Sequence, residues 1–489
     1  MSDAHSSGLN LAPSKRSTLW SGGIFVLTNT VPRAIGFLLL PLYTHVLSPA
    51  DYGQLSVALT VAALAVVIFS FGLEAAIFRN VFQFADDAVK RQRFILSTWT
   101  FLLFAPLAMA LVVSVALGPL LAANKVLTGE RVALSLVGAA IFVSATTTPL
   151  AVLRTEQRLR KYVLINAVAT VSTTSLILVL VVVAGTGVTG WLTAVILGNL
   201  ITLGVSLLVF PYARPRPFDR RLVRDALSLS LPVVPHLMAM LALQLADRVL
   251  VATLLSTSAA GLYSLASNMA MPMMLAVLGF GQAFMPTYAR IGKARHEHGS
   301  LTEIISIQVA LISLFCVACA LLAPPAVHLV AASDYGSGAD LTVWIVLGYG
   351  FWGFYQIPMN SIVLTYGRTK GLVLISGISA ITNIGMILAL APTYGLESVA
   401  IASAAGYAAL LCAVSLFARV KHASLPYPWQ KLAVIIAIAV TGYTAGVITT
   451  GSTTVLDVAV RTGWIAVTVV ATALVVRDRR MLRTLPKLV

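Results

Sequence analysis

Along this chain, apolar positions gather into long blocks, and most charged positions fall in the short segments between them. A block of roughly 20 apolar residues, wound as a helix, crosses the ~30 Å hydrocarbon core of a bilayer. Six such blocks, residues 17–40, 55–78, 94–117, 132–153, 162–184 and 190–212, precede a polar segment with Pro and Arg at 213–225. Six more follow at 228–256, 263–286, 304–323, 341–366, 371–391 and 397–418, and a last pair at 432–450 and 458–476. The pattern predicts an all-α polytopic membrane protein with fourteen transmembrane helices. It also predicts a domain plan. A polar tail (1–16) leads into an N-terminal six-helix bundle (17–212) and a cytoplasmic linker (213–225). A C-terminal six-helix bundle (226–418), a cytoplasmic loop (419–431), appended helices 13 and 14 (432–476) and a basic tail (477–489) complete the chain. The first block holds Pro32 and Arg33 and no small-residue cleavage site, so it reads as a retained helix and not as a signal peptide.

Composition agrees with this reading. Of the 489 residues, 58% are hydrophobic and 10% charged, against about 25% charged in soluble domains. Cytoplasmic loops of membrane proteins hold an excess of Lys and Arg. With the N-terminus inside, the inner segments take 28 of the 33 Lys and Arg residues, and the outer side holds only Lys125 and Arg131 in a loop and Arg461 at the outer end of the last span. The remaining two, Arg33 and Arg248, lie within spans. One missed helix would scramble that alternation, so the charges support fourteen spans with both termini cytoplasmic. They also explain the net charge of +16 as topology determinants facing anionic membrane lipids. Nucleic acid is not an expected partner, because no polar domain exists to carry a basic patch. Cys316, Cys319 and Cys412 all sit inside apolar blocks and read as small helix residues, with no metal site.

An internal repeat is visible. Leu47, Ser48, Gly53, Ser56 and Ala58 recur as Leu255, Ser256, Gly261, Ser264 and Ala266, an offset of 208. The same offset carries Gly187 onto Gly395 and Gly198 onto Gly406, and an offset of 209 carries Pro149 onto Pro358 and Lys161 onto Lys370. Six spans per repeat is even, so the two halves share one orientation, as in transporters whose parallel halves rock about a central site.

The residues Arg33-Ala-Ile-Gly36-Phe37, Pro41-Leu-Tyr43, Leu47-Ser-Pro-Ala-Asp51-Tyr52-Gly53 and Gly72-Leu-Glu74-Ala-Ala-Ile-Phe-Arg79 resemble the start of bacterial oligosaccharide flippases of the O-antigen type. These belong to the multidrug/oligosaccharidyl-lipid/polysaccharide exporter superfamily, whose two six-helix bundles the whole chain resembles. The resemblance implies a cargo, an undecaprenyl-diphosphate-linked oligosaccharide, flipped outward across the bacterial inner membrane for O-antigen, exopolysaccharide or capsule assembly. It also implies polysaccharide polymerase and chain-length machinery as partners. Other readings stay open: an ion-coupled exporter of drugs or metabolites, a peptidoglycan-precursor flippase, and a membrane glycan polymerase. The polymerase reading requires a large external loop, which the sequence lacks.

A diphosphate crosses hydrocarbon only at a cost of tens of kcal/mol on Born estimates, so intramembrane cations are the residues to seek. Arg33 lies about 16 Å along its helix from Thr44, beside Pro32, and matches the arginine ahead of the family's Gly-Phe. Asp247 and Arg248 lie in span seven, and adjacent helical residues do not face each other. Arg248 has snorkelling to the outer surface as its alternative. Arg79, at the inner end of span two, is a candidate for receiving the diphosphate or a topology determinant. Cavity contact is thus expected at Arg33, Arg248, Asp247 and Arg79. Coupling to H⁺ or Na⁺ is assigned to Glu74, if it is buried, with simple pairing to a neighbouring arginine as its alternative, and to Asp247. Pro272 and Met273 are a candidate bending gate in span eight, with ordinary packing as the alternative. No phosphate-cradling glycine loop, zinc spacing or nucleophile–base motif is visible, so neither catalysis nor a bound cofactor is expected.

Overall fold

The structure, a computed structural model, describes residues 28, 30–123, 126–212, 218–293, 298–362, 372–420, 427–450 and 455–477. The tail 1–16, most of the tail 477–489, Lys125 and Lys370 lie outside them. Among the described residues there are helices and no strands. Nine helices are long and apolar enough to cross a membrane, or ten when one bent pair is taken as a single span.

The chain divides into two compact units, residues 1–47 with 54–242, and residues 48–53 with 243–489. In the first unit, the helical stretch 30–38 runs through Pro32 and is interrupted at Leu39. The interruption therefore falls beside Pro41, at the start of α1 (Leu40–Val46), and not at Pro32. Proline lacks the amide hydrogen and its ring crowds the preceding turn. Span two is also broken. Helix α2 (Pro49–Phe69) ends in a turn where Phe71 and Gly72 take positive φ of 52° and 65°, and α3 (Leu73–Gln83) is a separate helix. The long α4 (Ala88–Ala123) and α5 (Gly129–Thr155) follow, then α6 (Leu159–Ile177) and α7 (Gly187–Val209). Helix α5 is the centre of this unit: 78% of its most apolar stretch is buried, against 17% for the helix pair that begins with α6. Small and hydroxyl residues allow its neighbours to approach closely and bond across. Ser144 Oγ donates to Leu102 O at 2.7 Å, Asn199 Nδ2 to Gly138 O at 3.1 Å and Ser206 Oγ to Ala145 O at 2.8 Å.

The segment read as a polar linker carries a helix from Arg220 onward. Helix α8 (Arg220–Ser230) is capped by Asp219, whose carboxylate accepts from the Arg221 and Leu222 amides, and it buries Val223 and Ala226. These two are three residues apart, the spacing of one helix face.

The second unit holds most of α9 (Val234–Leu254), then α10 (Thr257–Met269), α11 (Met271–Lys293), α12 (His298–Val330), α13 (Leu341–Asn360), α14 (Leu372–Val420), α15 (Trp429–Ile448) and α16 (Val455–Val476). Helices α10 and α11 meet at a 42° bend. Pro272 lies just past it and removes a donor from the ladder there, while Met273 is fully buried. The 49 residues of α14 would span about 74 Å as one helix, more than twice a bilayer's core. It breaks into two at Gly395, whose φ of 70° and ψ of −155° belong to glycine alone.

The 208-residue offset has physical content. Ser48 and Ser256 both cap helices, the first bonded to the Asp51 amide and the second to the Ala259 amide. Gly187 and Gly395 both take positive φ. Gly198 packs against Thr173 in the first unit, and Gly406 against Asn383 in the second, each with no room for a β-carbon. Within the second unit the segment 48–53 lies on its own counterpart. A methyl on Gly53 would overlap the Thr257 carbonyl, and one on Gly261 the Pro49 carbonyl. Those two pairs exchange under the offset, the reciprocity of a two-fold contact.

Candidate functional site

Asp247 and Arg248 part company on α9. One residue step turns a helix by about 100°, so the two side chains meet different neighbours. Arg248 is half-buried and lines a cavity of about 140 Å³. Gln244, one turn earlier on α9, lines it too, with Asn268 at the end of α10, Tyr349 and Trp352 on α13 and Tyr407 on α14. Arg248 Nη1 makes a long hydrogen bond of 3.4 Å to Gln244 O. That carbonyl lies toward the N-terminal end of α9, so the guanidinium turns away from the nearer end at Leu254. Snorkelling outward past Leu254 would require the opposite direction. Among the described residues only two ion pairs form, Glu74–Arg154 and Glu156–Arg158, and neither includes Arg248. The result is a cation without a carboxylate partner, faced by three aromatic rings and two amides. Asn268 is itself held, donating from Nδ2 to the Tyr52 hydroxyl at 2.7 Å.

Asp247 does not line that cavity. It is 4% exposed. Its Oδ2 accepts from the Tyr263 hydroxyl at 2.6 Å and lies 2.6 Å from the Ser403 hydroxyl, and those two hydroxyls are 2.8 Å apart. Asn383 Nδ2 reaches Ser403 Oγ at 3.4 Å. The other carboxylate oxygen, Asp247 Oδ1, and the amide oxygen Asn383 Oδ1 are both buried with no hydrogen-bond donor. A buried acceptor left unmatched is costly, and two of them in one cluster suit an added proton or a small cation. No cluster of three or more His, Cys, Asp or Glu exists among the described residues, so a multi-carboxylate divalent site is not formed there.

The other sequence candidates scatter. Glu74 is not a buried carboxylate: it is exposed and pairs with Arg154 at 2.9 Å. The break at Phe71 and Gly72 places it in the first turn of α3, outside the continuous helix α2. Arg79 is exposed on the same short helix and lines a different cleft, with Lys90. Arg33 is exposed, with no hydrogen-bond or ion-pair partner among the described residues. Tyr263, Ser403, Asn383, Trp352 and Tyr407 were not legible as site residues. Each is an ordinary residue of an apolar block, and only tertiary packing brings them to Asp247 or Arg248. The one available signal was Asp247 itself, an acid in a span that must find donors somewhere.

The long apolar helices define a multi-pass membrane protein. The profile of the family described as polysaccharide biosynthesis protein matches residues 19–292, and the chain belongs to that family. Among solved structures, the lipid II flippase MurJ in an inward closed conformation is similar at TM-score 0.71 and 14% identity, covering 92% of this chain and 96% of that one. An inward-facing multidrug resistance MATE family transporter of the MOP superfamily is similar at TM-score 0.65 and 18% identity, covering 81% and 98%. A MOP superfamily transporter from Pyrococcus furiosus is similar at TM-score 0.58 and 15% identity, covering 82% and 95%. No curated protein sequence matches the chain significantly.

Proposed function

We propose that this protein is a flippase of the bacterial inner membrane. Its cargo is an undecaprenyl-diphosphate-linked oligosaccharide, carried by alternating access from the cytoplasmic to the outer leaflet for O-antigen, exopolysaccharide or capsule assembly. Its proposed partners are the polysaccharide polymerase and chain-length machinery. The observation that carries the reading is the unpaired Arg248 among Tyr349, Trp352 and Tyr407. A guanidinium is suited to phosphate oxygens. Aromatic rings offer apolar faces to sugar C–H groups and, in tyrosine and tryptophan, polar edges to hydroxyls. Membership in the polysaccharide biosynthesis protein family supports the cargo class. Arg33 is proposed as a further cargo contact.

Coupling is proposed at Asp247. A proton on Oδ1, or a Na⁺ held by Oδ1 and the Asn383 amide oxygen, would satisfy both orphaned acceptors. The cluster joins α9, α10 and both halves of α14. Binding there alters how those helices hold one another, which is what an ion must do to bias one conformation over another.

Deletion of the gene in its source organism tests the function. The expected outcome is loss of surface polysaccharide with lipid-linked repeat units accumulating in the inner leaflet, restored by the wild-type gene and not by Arg248→Ala. Unchanged polysaccharide with raised drug sensitivity would instead establish an exporter of soluble compounds.

A further inference from the structure

Arg79 belongs to a second site, in the first unit, on the face that the charge distribution assigns to the cytoplasm. The break after α2 swings the short helix α3 against α4 and α8, and the three enclose a cleft of about 440 Å³. Its polar lining is Arg79, Asn80 and Gln83 from α3, Lys90 from α4, and Asp225 and Ser228 from α8. The side chains of Arg79, Asn80 and Gln83 have no hydrogen-bond or ion-pair partner among the described residues, and the Lys90 ammonium rests 4.6 Å over the Phe84 ring. The nearby Asp87 carboxylate is engaged, accepting from the Lys90 backbone amide at 2.9 Å. Phe78 and Phe82 on α3, and Leu229 and Leu231 at the end of α8, are exposed beside the cleft. Short amphipathic helices with apolar residues on one side and arginines on the other lie in the headgroup layer of a membrane, and α8 exposes Arg220, Arg221 and Arg224.

We propose that this cleft is a headgroup site for a glycerophospholipid of the inner leaflet, distinct from the Arg248 cavity. Arg79 and Lys90 take the phosphate. Asp225 and Ser228 accept hydrogen bonds from donors at the far end of the headgroup, such as glycerol hydroxyls. Charge selects this occupant over the cargo diphosphate. Two cations and one carboxylate leave a net +1, which matches a singly charged phosphodiester, whereas Asp225 repels a diphosphate. Occupancy would tie α3 to α8 through a bridging lipid. The site does not rest on the flippase reading, because it concerns the bilayer's own lipids.

The test is association of spin-labelled phosphatidylglycerol with the full-length protein in phosphatidylcholine bilayers, read as the motionally restricted fraction by electron paramagnetic resonance. Wild type should select the glycerol lipid over a choline label. The double variant Arg79→Gln/Lys90→Gln should lower that selectivity about tenfold, the scale of losing two charge-assisted phosphate contacts. Arg224→Gln removes a charge from α8 outside the cleft and should change it less than about twofold. Equal losses in Arg224→Gln and the double variant would show diffuse surface charge and overturn the site. Displacement of the label by millimolar inorganic phosphate would show a free-anion site and overturn the lipid assignment. Displacement by undecaprenyl diphosphate at lower mole fraction than phosphatidylglycerol would reassign the cleft to cargo. If the double variant fails to fold, the single variants at these two exposed positions carry the same comparison.

Discussion

Asp247 and Arg248 are neighbours in sequence and serve different surroundings, so substitutions at them should separate. Asp247→Leu strips the Tyr263 and Ser403 hydroxyls of their shared acceptor inside the second unit. Ser403 Oγ keeps the Val399 carbonyl at 3.0 Å and Tyr263 keeps Ser403 Oγ at 2.8 Å. The loss is therefore on the scale of one hydrogen bond to a charged group, about 1.5–3 kcal/mol, and the variant should unfold at lower temperature in detergent. Asp247→Asn keeps the shape and an acceptor oxygen while removing the charge. It should hold the wild-type unfolding temperature within a few degrees and abolish dependence of transport on the ion gradient. Transport by Asp247→Asn that still follows the gradient would remove Asp247 from coupling. At Arg248 the guanidinium's planar fork is the tested property. Arg248→Lys retains charge and loses bidentate geometry, so export in complemented cells should fall below wild type yet exceed that of Arg248→Ala. Equal export by all three at equal protein level would show that the cavity does not hold a phosphate.

Elements differ in how openly the sequence announces them. The long apolar blocks were legible because only a helix of about 20 residues satisfies its backbone while crossing hydrocarbon. The break in span two was not. Phe71, a bulky residue in the left-handed region, gives no sequence signal for a turn, and α3 was therefore absorbed into one span with Glu74 placed inside it. Helix α8 is legible in the sequence: Asp219 ahead of Arg220, with Val223 and Ala226 on one face, is a capped amphipathic pattern that starts in the polar segment 213–225 and runs past its end. Gly395 was located by its offset from Gly187, but its role comes from backbone geometry. Gly395→Ala should cost roughly 1–3 kcal/mol, because a β-carbon is strained at that φ and ψ. Gly385, on the same helix with ordinary φ and open space around its β position, is the control. Gly385→Ala should be neutral or stabilising by up to about 1 kcal/mol. Thermal unfolding followed by fluorescence-detected size exclusion distinguishes the two, and equal midpoints would show that the break at Gly395 carries no strain.

At the scale of the whole molecule, the helical architecture follows from hydropathy, whereas the path of the chain through the membrane follows from parity. The described residues hold nine or ten helices that meet the length and hydropathy criteria together, and the alternation of Lys and Arg in the sequence asks for fourteen spans. Parity is measurable without a count. Asp86 lies after the second span and Glu130 before the fourth. Asp225 lies in the connection between the two six-span repeats, and Ser333 between the ninth and tenth spans. All four are exposed. With the native cysteines replaced, Glu130→Cys and Ser333→Cys should react with a membrane-impermeant maleimide in intact cells. Asp86→Cys and Asp225→Cys should react only after permeabilisation. Glu130 and Ser333 are separated by six spans in the fourteen-span path, so they label from the same side only if that number is even. Opposite labelling at these two positions would mean an odd number of crossings between them. The repeats would then be inverted rather than parallel, and two halves rocking about an axis along the membrane normal would no longer describe the molecule.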